Sequence, residues 1–157
     1  MANTMRWRYG DTSPIVLPID SDYAVEIGDL MYLEFDDARP ASEIADQGTL
    51  VGNQELFHDQ FVGIAMQSSA AGSADSIRIA TSGVFEFDCP SSTFEVGDLL
   101  GANEAGTGTE LEDQNVIGVA SANLAVGRCV KRVDTAGTRA LVDIVSTVVR
   151  GGPQAAA

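Results

Sequence analysis

The chain has 157 residues, 45% of them apolar, and its 23 acids against 9 bases give a net charge of −14. That length suits one domain with a substantial core, and no apolar run is long enough for a membrane-spanning helix. Nucleic acid and anionic membrane surfaces are poor partners for such a chain, because both demand clustered cations to meet phosphate. Lys131 is the sole lysine, so the expected surface is acidic and well hydrated, a composition that also suits a salty environment. No apolar stretch follows the charges of Met1–Arg8, so the N-terminus does not read as a secretory signal and cytoplasmic synthesis is expected. Cys89 and Cys129 lack Cys-x-x-Cys spacing and one histidine cannot complete a zinc site; two buried thiols are expected, with no metal and no cofactor.

In chain order, residues 1–13 read as a polar arm carrying Arg6, Trp7, Arg8 and Tyr9 before Gly10-Asp11 breaks it. Arg, Trp and Tyr are the types enriched at binding hot spots, although Trp7 and Tyr9 would serve equally as an inward-facing cap on the core. Pro14–Ile19 is a short apolar strand that its prolines confine to an edge. Asp20-Ser21-Asp22 is a solvated turn, without the glycine and glutamate of a calcium loop. Leu30–Phe35 alternates as a strand with one face buried. An insert over 36–60 holds a short helix at Gln54–Gln60, capped by Asn53, with Leu56 and Phe57 turned inward and His58 exposed. Phe61–Met66, Asp75–Thr81 (Ile77 and Ile79 inward) and Val84–Asp88 form a strand meander, ended by a turn at Cys89-Pro90.

The second half runs from Phe94 through a polar loop over Asn103–Asp113, then strands at Val116–Ser121, Val126–Val133 and Ala140–Val148. Asp134–Gly137 is the expected hairpin turn between the last two. The loop's Gly106-Thr107-Gly108-Thr109 is no phosphate cradle, because Glu104, Glu110, Glu112 and Asp113 would repel an anion. Arg128, Lys131, Arg132 and Arg139 concentrate four of the nine bases in this stretch. They suit either an oriented contact with an acidic protein surface or local pairing with carboxylates such as Asp134 and Asp143.

One phrase recurs. Val25-Glu26-Ile27-Gly28-Asp29-Leu30 matches Phe94-Glu95-Val96-Gly97-Asp98-Leu99, and Val62-Gly63-Ile64-Ala65 is echoed by Ile117-Gly118-Val119-Ala120. Glycine before aspartate supplies a conformation other residues avoid, so each phrase is a tight turn feeding a strand. Gly28, Asp29, Gly63, Gly97, Asp98 and Gly118 are the structural residues of this pattern. Either an internal duplication or a recurrent turn chemistry explains it. The expected architecture is all-β, a mainly antiparallel sandwich or barrel built from two pseudo-repeated units (about 24–88 and 93–148), with one short helix in the insert. The domain spans 14–148, and residues 149–157 form a flexible tail.

These residues resemble the capsid cement, or head-decoration, proteins of tailed bacteriophages. Tyr9-Gly10, Gly28-Asp29-Leu30, Phe61–Ala65, the small-residue loop to Ser73, Ile77-Arg78-Ile79, Gly83-Val84-Phe85, Val96-Gly97-Asp98 and Ile117–Ala120 carry the resemblance by their order, from about residue 8 to about 147. The longer insert at 36–60 and the basic stretch at 126–139 depart from compact members. The resemblance implies a protein made in the host cytoplasm that binds the exterior of the expanded head, commonly as a trimer, and clamps adjacent major capsid proteins. On that reading Arg6, Trp7, Arg8, Tyr9, Arg128, Lys131 and Arg132 are the expected capsid contacts. Some relatives carry a recombinase label, but the Walker loop of an ATPase is missing here. A different class, a surface module binding carbohydrate, would need an exposed aromatic to stack on a sugar, and Trp7 is the sole tryptophan. A hydrolase would need a nucleophile with its base, and the pairs Asp36/Asp37 and Glu112/Asp113 read as solvated loop carboxylates, so no enzyme is expected.

Overall fold

In the computed structural model, which describes residues 5–107 and 109–155, eleven strands form two sheets. They are β1 (Trp7–Tyr9), β2 (Ile15–Pro18), β3 (Leu30–Glu34), β4 (Asp37–Pro40), β5 (Phe61–Ala65), β6 (Ser76–Ala80), β7 (Ser82–Phe94), β8 (Leu99–Glu104), β9 (Leu111–Gly118), β10 (Gly127–Cys129) and β11 (Val133–Val145). The larger sheet runs β1-β7-β11-β10-β8-β9, and a parallel bridge between Asp88 and Asn115 joins β9 back to β7. Five of its strands therefore close into a ring, with β1 added outside. The smaller sheet runs β2-β6-β5-β3-β4, and a bridge from Ile19 to Ala38 brings its two edges together. The all-β expectation holds, in the barrel form, and β2 with its prolines lies at a sheet edge.

Period-2 alternation explains the ring. Phe85, Phe87 and Cys89 of β7 are buried with Ala140, Val142 and Ile144 of β11, while Glu86 and Asp88 sit on the outer face. A second apolar cluster gathers Ile19, Val25, Met31, Ala38, Val62, Ile77 and Ile79 in the smaller sheet. Strands β3 and β5 serve both cores: Leu30, Tyr32, Phe61 and Ile64 belong to the large cluster, Met31 and Val62 to the small one. Strand β3 is thus buried on both faces over Leu30–Tyr32, not on one.

The cause is helix α1 (Leu50–Gln60), which covers the face of β3 that would otherwise meet water. Phe57 packs edge-on to Tyr32 at 6.1 Å between ring centroids and 5.5 Å from the Phe61 ring. The helix begins earlier than expected, because Thr49, not Asn53, is its N-cap and accepts from the Gly52 N–H at 3.0 Å. Asn53 and His58 are buried instead: Asn53 Oδ1 accepts from the Gln47 N–H, and His58 Nδ1 lies 2.8 Å from the Ala125 carbonyl. With Gln54 donating to the Ala102 carbonyl at 2.8 Å, the helix docks on the ring through polar side chains that satisfy backbone groups.

Two expected turns are bulges. Strand β7 continues through Cys89 and Pro90, and its register against β11 slips between Asp88 and Ser92, where a proline without an N–H does no harm. Asp134–Gly137 lies inside β11, in the second slip of the same ladder, and the reversal falls at residues 130–132. The polar loop after β8 shortens to residues 105–110, since β8 and β9 reach further into it. The C-terminal segment docks: α2 (Thr147–Arg150) is capped by Ser146, Gly152 and Pro153 are buried, and the Gln154 carbonyl accepts from Arg128. Ala156 and Ala157 lie outside the described residues.

Candidate functional site

The two recurrent phrases fold into the same turn. Asp29 N–H donates to the Glu26 carbonyl at 3.2 Å and Asp98 N–H to the Glu95 carbonyl at 3.1 Å. Gly28 and Gly97 take φ of 99° and 98°, where any Cβ would be strained. Each aspartate then reaches back to accept the N–H of its glutamate, at 2.8 Å for Asp29 and 2.9 Å for Asp98. The echo that follows does not superpose. Ala65 of β5 exchanges hydrogen bonds with Gly28 and Asp29, whereas Cys129 of β10 takes that place against Gly97 and Asp98. Strand β9, which holds Gly118, pairs on the opposite edge, with Val119 N–H donating to the Leu99 carbonyl. The counterpart of Gly63 is Gly127, not Gly118, and the two turns open equivalent strands of sheets with one topology: β2-β6-β5-β3-β4 and β7-β11-β10-β8-β9, each with a parallel bridge between its first and third strands in chain order, as an internal duplication would leave.

Strand β1 places the predicted arm residues. It pairs antiparallel with β7, Trp7 opposite Phe85 and Tyr9 opposite Val84. Arg6 points inward, where its Nε donates to Gln114 Oε1 at 2.7 Å and its Nη2 lies 3.2 Å from Asp88 Oδ2. Gln114 in turn donates to Asp29 Oδ1 at 2.8 Å and to the Ile27 carbonyl, so Arg6 is tied to the first turn. Asp29 is only 3% exposed, and burial pushes its carboxyl up to about 6 against the pull of the Glu26 and Gln114 hydrogen bonds. Trp7 and Tyr9 face outward, 41% and 52% exposed, so they do not cap the core. Between them Arg8 donates to Glu86 Oε1 at 2.9 Å, and Arg139 from β11 donates to the same oxygen at 2.9 Å. Burial alone would raise the Glu86 carboxyl, but these two guanidiniums hold it below its ordinary value. The outer face of β1, β7 and β11 therefore joins arginines from both predicted basic zones around Glu86 and Asp88, beside two exposed aromatics.

A family model for phage cement proteins matches residues 17–144 of this chain. The chain belongs to the phage cement protein family. Its role is capsid-associated and structural. A solved structure similar to it is the head fiber gp8.5 N base of bacteriophage phi29, with 14% identity and a TM-score of 0.47, covering 83% of this chain and 93% of that one. No curated protein matches.

Within this cement protein the remaining basic residues part company. Arg128 turns to its own backbone, donating to the Gly97 carbonyl at 2.8 Å and to that of Gln154. Arg132 shares its Nε–H between the two carboxylate oxygens of Glu95 in the second turn, at 3.0 and 3.1 Å. Among the described residues neither they nor Arg139 pair with Asp134 or Asp143; the carboxylates that meet Arg132 and Arg139 are Glu95, Glu86 and Asp88. Lys131 is exposed and lines a hollow with Glu86, Val133, Arg139, Ala140 and Leu141. Asp113, expected as a solvated carboxylate, accepts the Ser42 N–H at 2.7 Å and its hydroxyl at 3.1 Å, and burial raises its pKa. Cys89 and Cys129 are both buried and free, with burial raising both thiols. Among the described residues no three His, Cys, Asp or Glu side chains gather as a metal site, and no helix is long and apolar enough to cross a membrane. Gln114 is the site residue that sequence reasoning missed, since nothing local marks a glutamine that will bridge two elements.

Proposed function

We propose that this cement protein binds the exterior of the phage head as a homo-oligomer, trimeric by the family pattern, and holds adjacent major capsid proteins together through the outer face of β1. It acts by binding and performs no catalysis. The observation that carries this is the exposed Trp7-Arg8-Tyr9 strand, the hot-spot residue types set beside Arg139 on an otherwise acidic body. Two further features support it. β1 forms the free end of the larger sheet's strand order, open to a capsid strand by edge addition. Arg6 anchors β1 to β7 and β9, so the contact is built in advance and costs little ordering on binding. Oligomers multiply such contacts, because each later one is effectively intramolecular. Of the seven expected contacts, Arg6 and Arg128 act as internal anchors, Arg132 is held at the surface by Glu95 and Lys131 lines the hollow beside Arg139, leaving Trp7, Arg8 and Tyr9 for the capsid.

The test is co-sedimentation with expanded capsids. Trp7→Ala and Tyr9→Ala remove exposed side chains and leave the core intact, so both variants fold. Each is expected to weaken capsid binding about tenfold or more, the loss of a hot-spot residue. Undiminished occupancy by the double variant at limiting concentration contradicts the proposal.

A further inference from the structure

The β3–β4 hairpin presents an aromatic residue against two physical preferences. Glu34 pairs with Asp37, so Phe35 and Asp36 alone make the loop. Phe35 adopts φ of 54°, a region that bulky side chains avoid and glycine fills freely. Its ring is also 88% exposed, the most exposed of the large apolar residues described. The hairpin is held firmly in that state: Arg39 pairs with both Glu34 and Asp20 and lies 5.8 Å from the Tyr23 ring centroid. A two-residue hairpin requires positive φ at its first loop position, and a bulky apolar ring standing there in water, where glycine or asparagine would be easier, marks a site of use. Flanked by Glu34, Asp36 and Asp37, the knob calls for an apolar hollow with a cationic rim.

The same chain carries such a hollow. Val133, Ala140 and Leu141 line it together with Lys131, Arg139 and Glu86, whose carboxylate Arg139 holds, and its volume is about 190 Å³. A cavity of about 150 Å³ already accepts benzene, so one phenyl ring fits. Three other hollows suit the knob badly. They are lined by Asp98, by Glu110, Glu112 and Asp113, and by Glu55 and Asp59, with no Lys or Arg among their lining residues. The exposure of Phe35 shows that the knob does not occupy the hollow of its own chain.

We infer that Phe35 of one copy seats in the Lys131–Arg139 hollow of the next, with Asp36 and Asp37 facing those cations. Knob and hollow are different patches, so the contact is head-to-tail and repeats around a closed ring. This inference rests on the homo-oligomer of the reading above and assigns its interface. It also divides the molecule, leaving Trp7 and Tyr9 to the capsid.

The experiment is sedimentation velocity of the full chain over a range of concentrations, paired with capsid co-sedimentation. Wild type is expected to be an oligomer, and Phe35→Gly to raise its dissociation constant about 30-fold or more, as for a central anchor. Lys131→Glu and Asp36→Lys are each expected to weaken assembly, and the two combined to restore it, since the swap rebuilds the pair with reversed signs. A monomeric wild type, an unchanged mass for Phe35→Gly, or a charge swap that fails to rescue overturns the inference. So does a Phe35→Gly chain that keeps its mass and loses capsid binding, which would give the knob to the capsid. An oligomer broken by Phe35→Gly that never pellets with capsids keeps this interface and sinks the capsid reading instead.

Discussion

The two Gly-Asp turns share one backbone and lead different lives. Around Gly28 and Gly97 the hydrogen bonds agree within 0.1 Å, yet Asp29 is buried against Gln114 and Asp98 is exposed. A local sequence thus dictates a local turn, while the neighbours that decide its energetic weight come from β9 and from Arg6, far away in the chain. The first turn is a joint between the smaller sheet, the ring and β1. The second is a surface corner.

Substitutions sharpen that contrast, and the largest effect lies in the strands behind the turns. A Cβ at Gly63 would stand 1.8 Å from the Ala80 carbonyl oxygen, whereas one at Gly118 meets only Phe94 Cε1 at 3.6 Å. Gly63→Ala is expected to cost about 3 kcal/mol or more, and Gly118→Ala less than about 0.5 kcal/mol, measured by urea denaturation. Next come the aspartates. Asp29→Ala strands the Glu26 N–H and the Gln114 amide in a buried place, for about 2 kcal/mol, whereas Asp98→Ala leaves an N–H that water can reach and costs about 0.5 kcal/mol. Equal costs would show that Gln114 does not make the first turn a joint.

The smallest effect expected at the first turn is a pH slope. The folded Asp29 carboxyl has its pKa raised to about 6, so between the unfolded and folded values the folded chain holds the proton more tightly. Its stabilising contribution is full below the unfolded pKa and is lost as pH rises through about 6. From pH 5 to pH 7 it falls by roughly 1.3 kcal/mol. Asp29→Asn is expected to flatten that part of the stability profile, and an unchanged slope would remove Asp29 as its source.

Much of the fold was legible where side chains alternate. Ile77-Arg78-Ile79 and Val84–Phe87 announce strands because one face needs burial, and the turn phrase announces itself through glycine and aspartate. What was illegible depends on partners distant in sequence. The inward face of α1 sets Asn53, Gln54 and His58 beside Phe57, so polar residues interrupt its apolar stripe and His58 read as exposed. Asp134–Gly137 has the composition of a turn and is a bulge, because β7 supplies a long ladder partner. Arg6 and Arg8 look alike in sequence, yet one is buried on Gln114 and the other is exposed on Glu86. Phe35 read as the last residue of a strand, and only the two-residue hairpin reveals it as a tip.

The most direct test of the capsid contact proposed for β1 is hydroxyl-radical footprinting of the wild-type protein, free in solution and at saturation on expanded capsids. Trp7 and Tyr9 are open to labelling in the free protein, and the account predicts that both are strongly protected once the capsid is bound. Equal labelling of Trp7 and Tyr9 in the two states, at full occupancy, would contradict it.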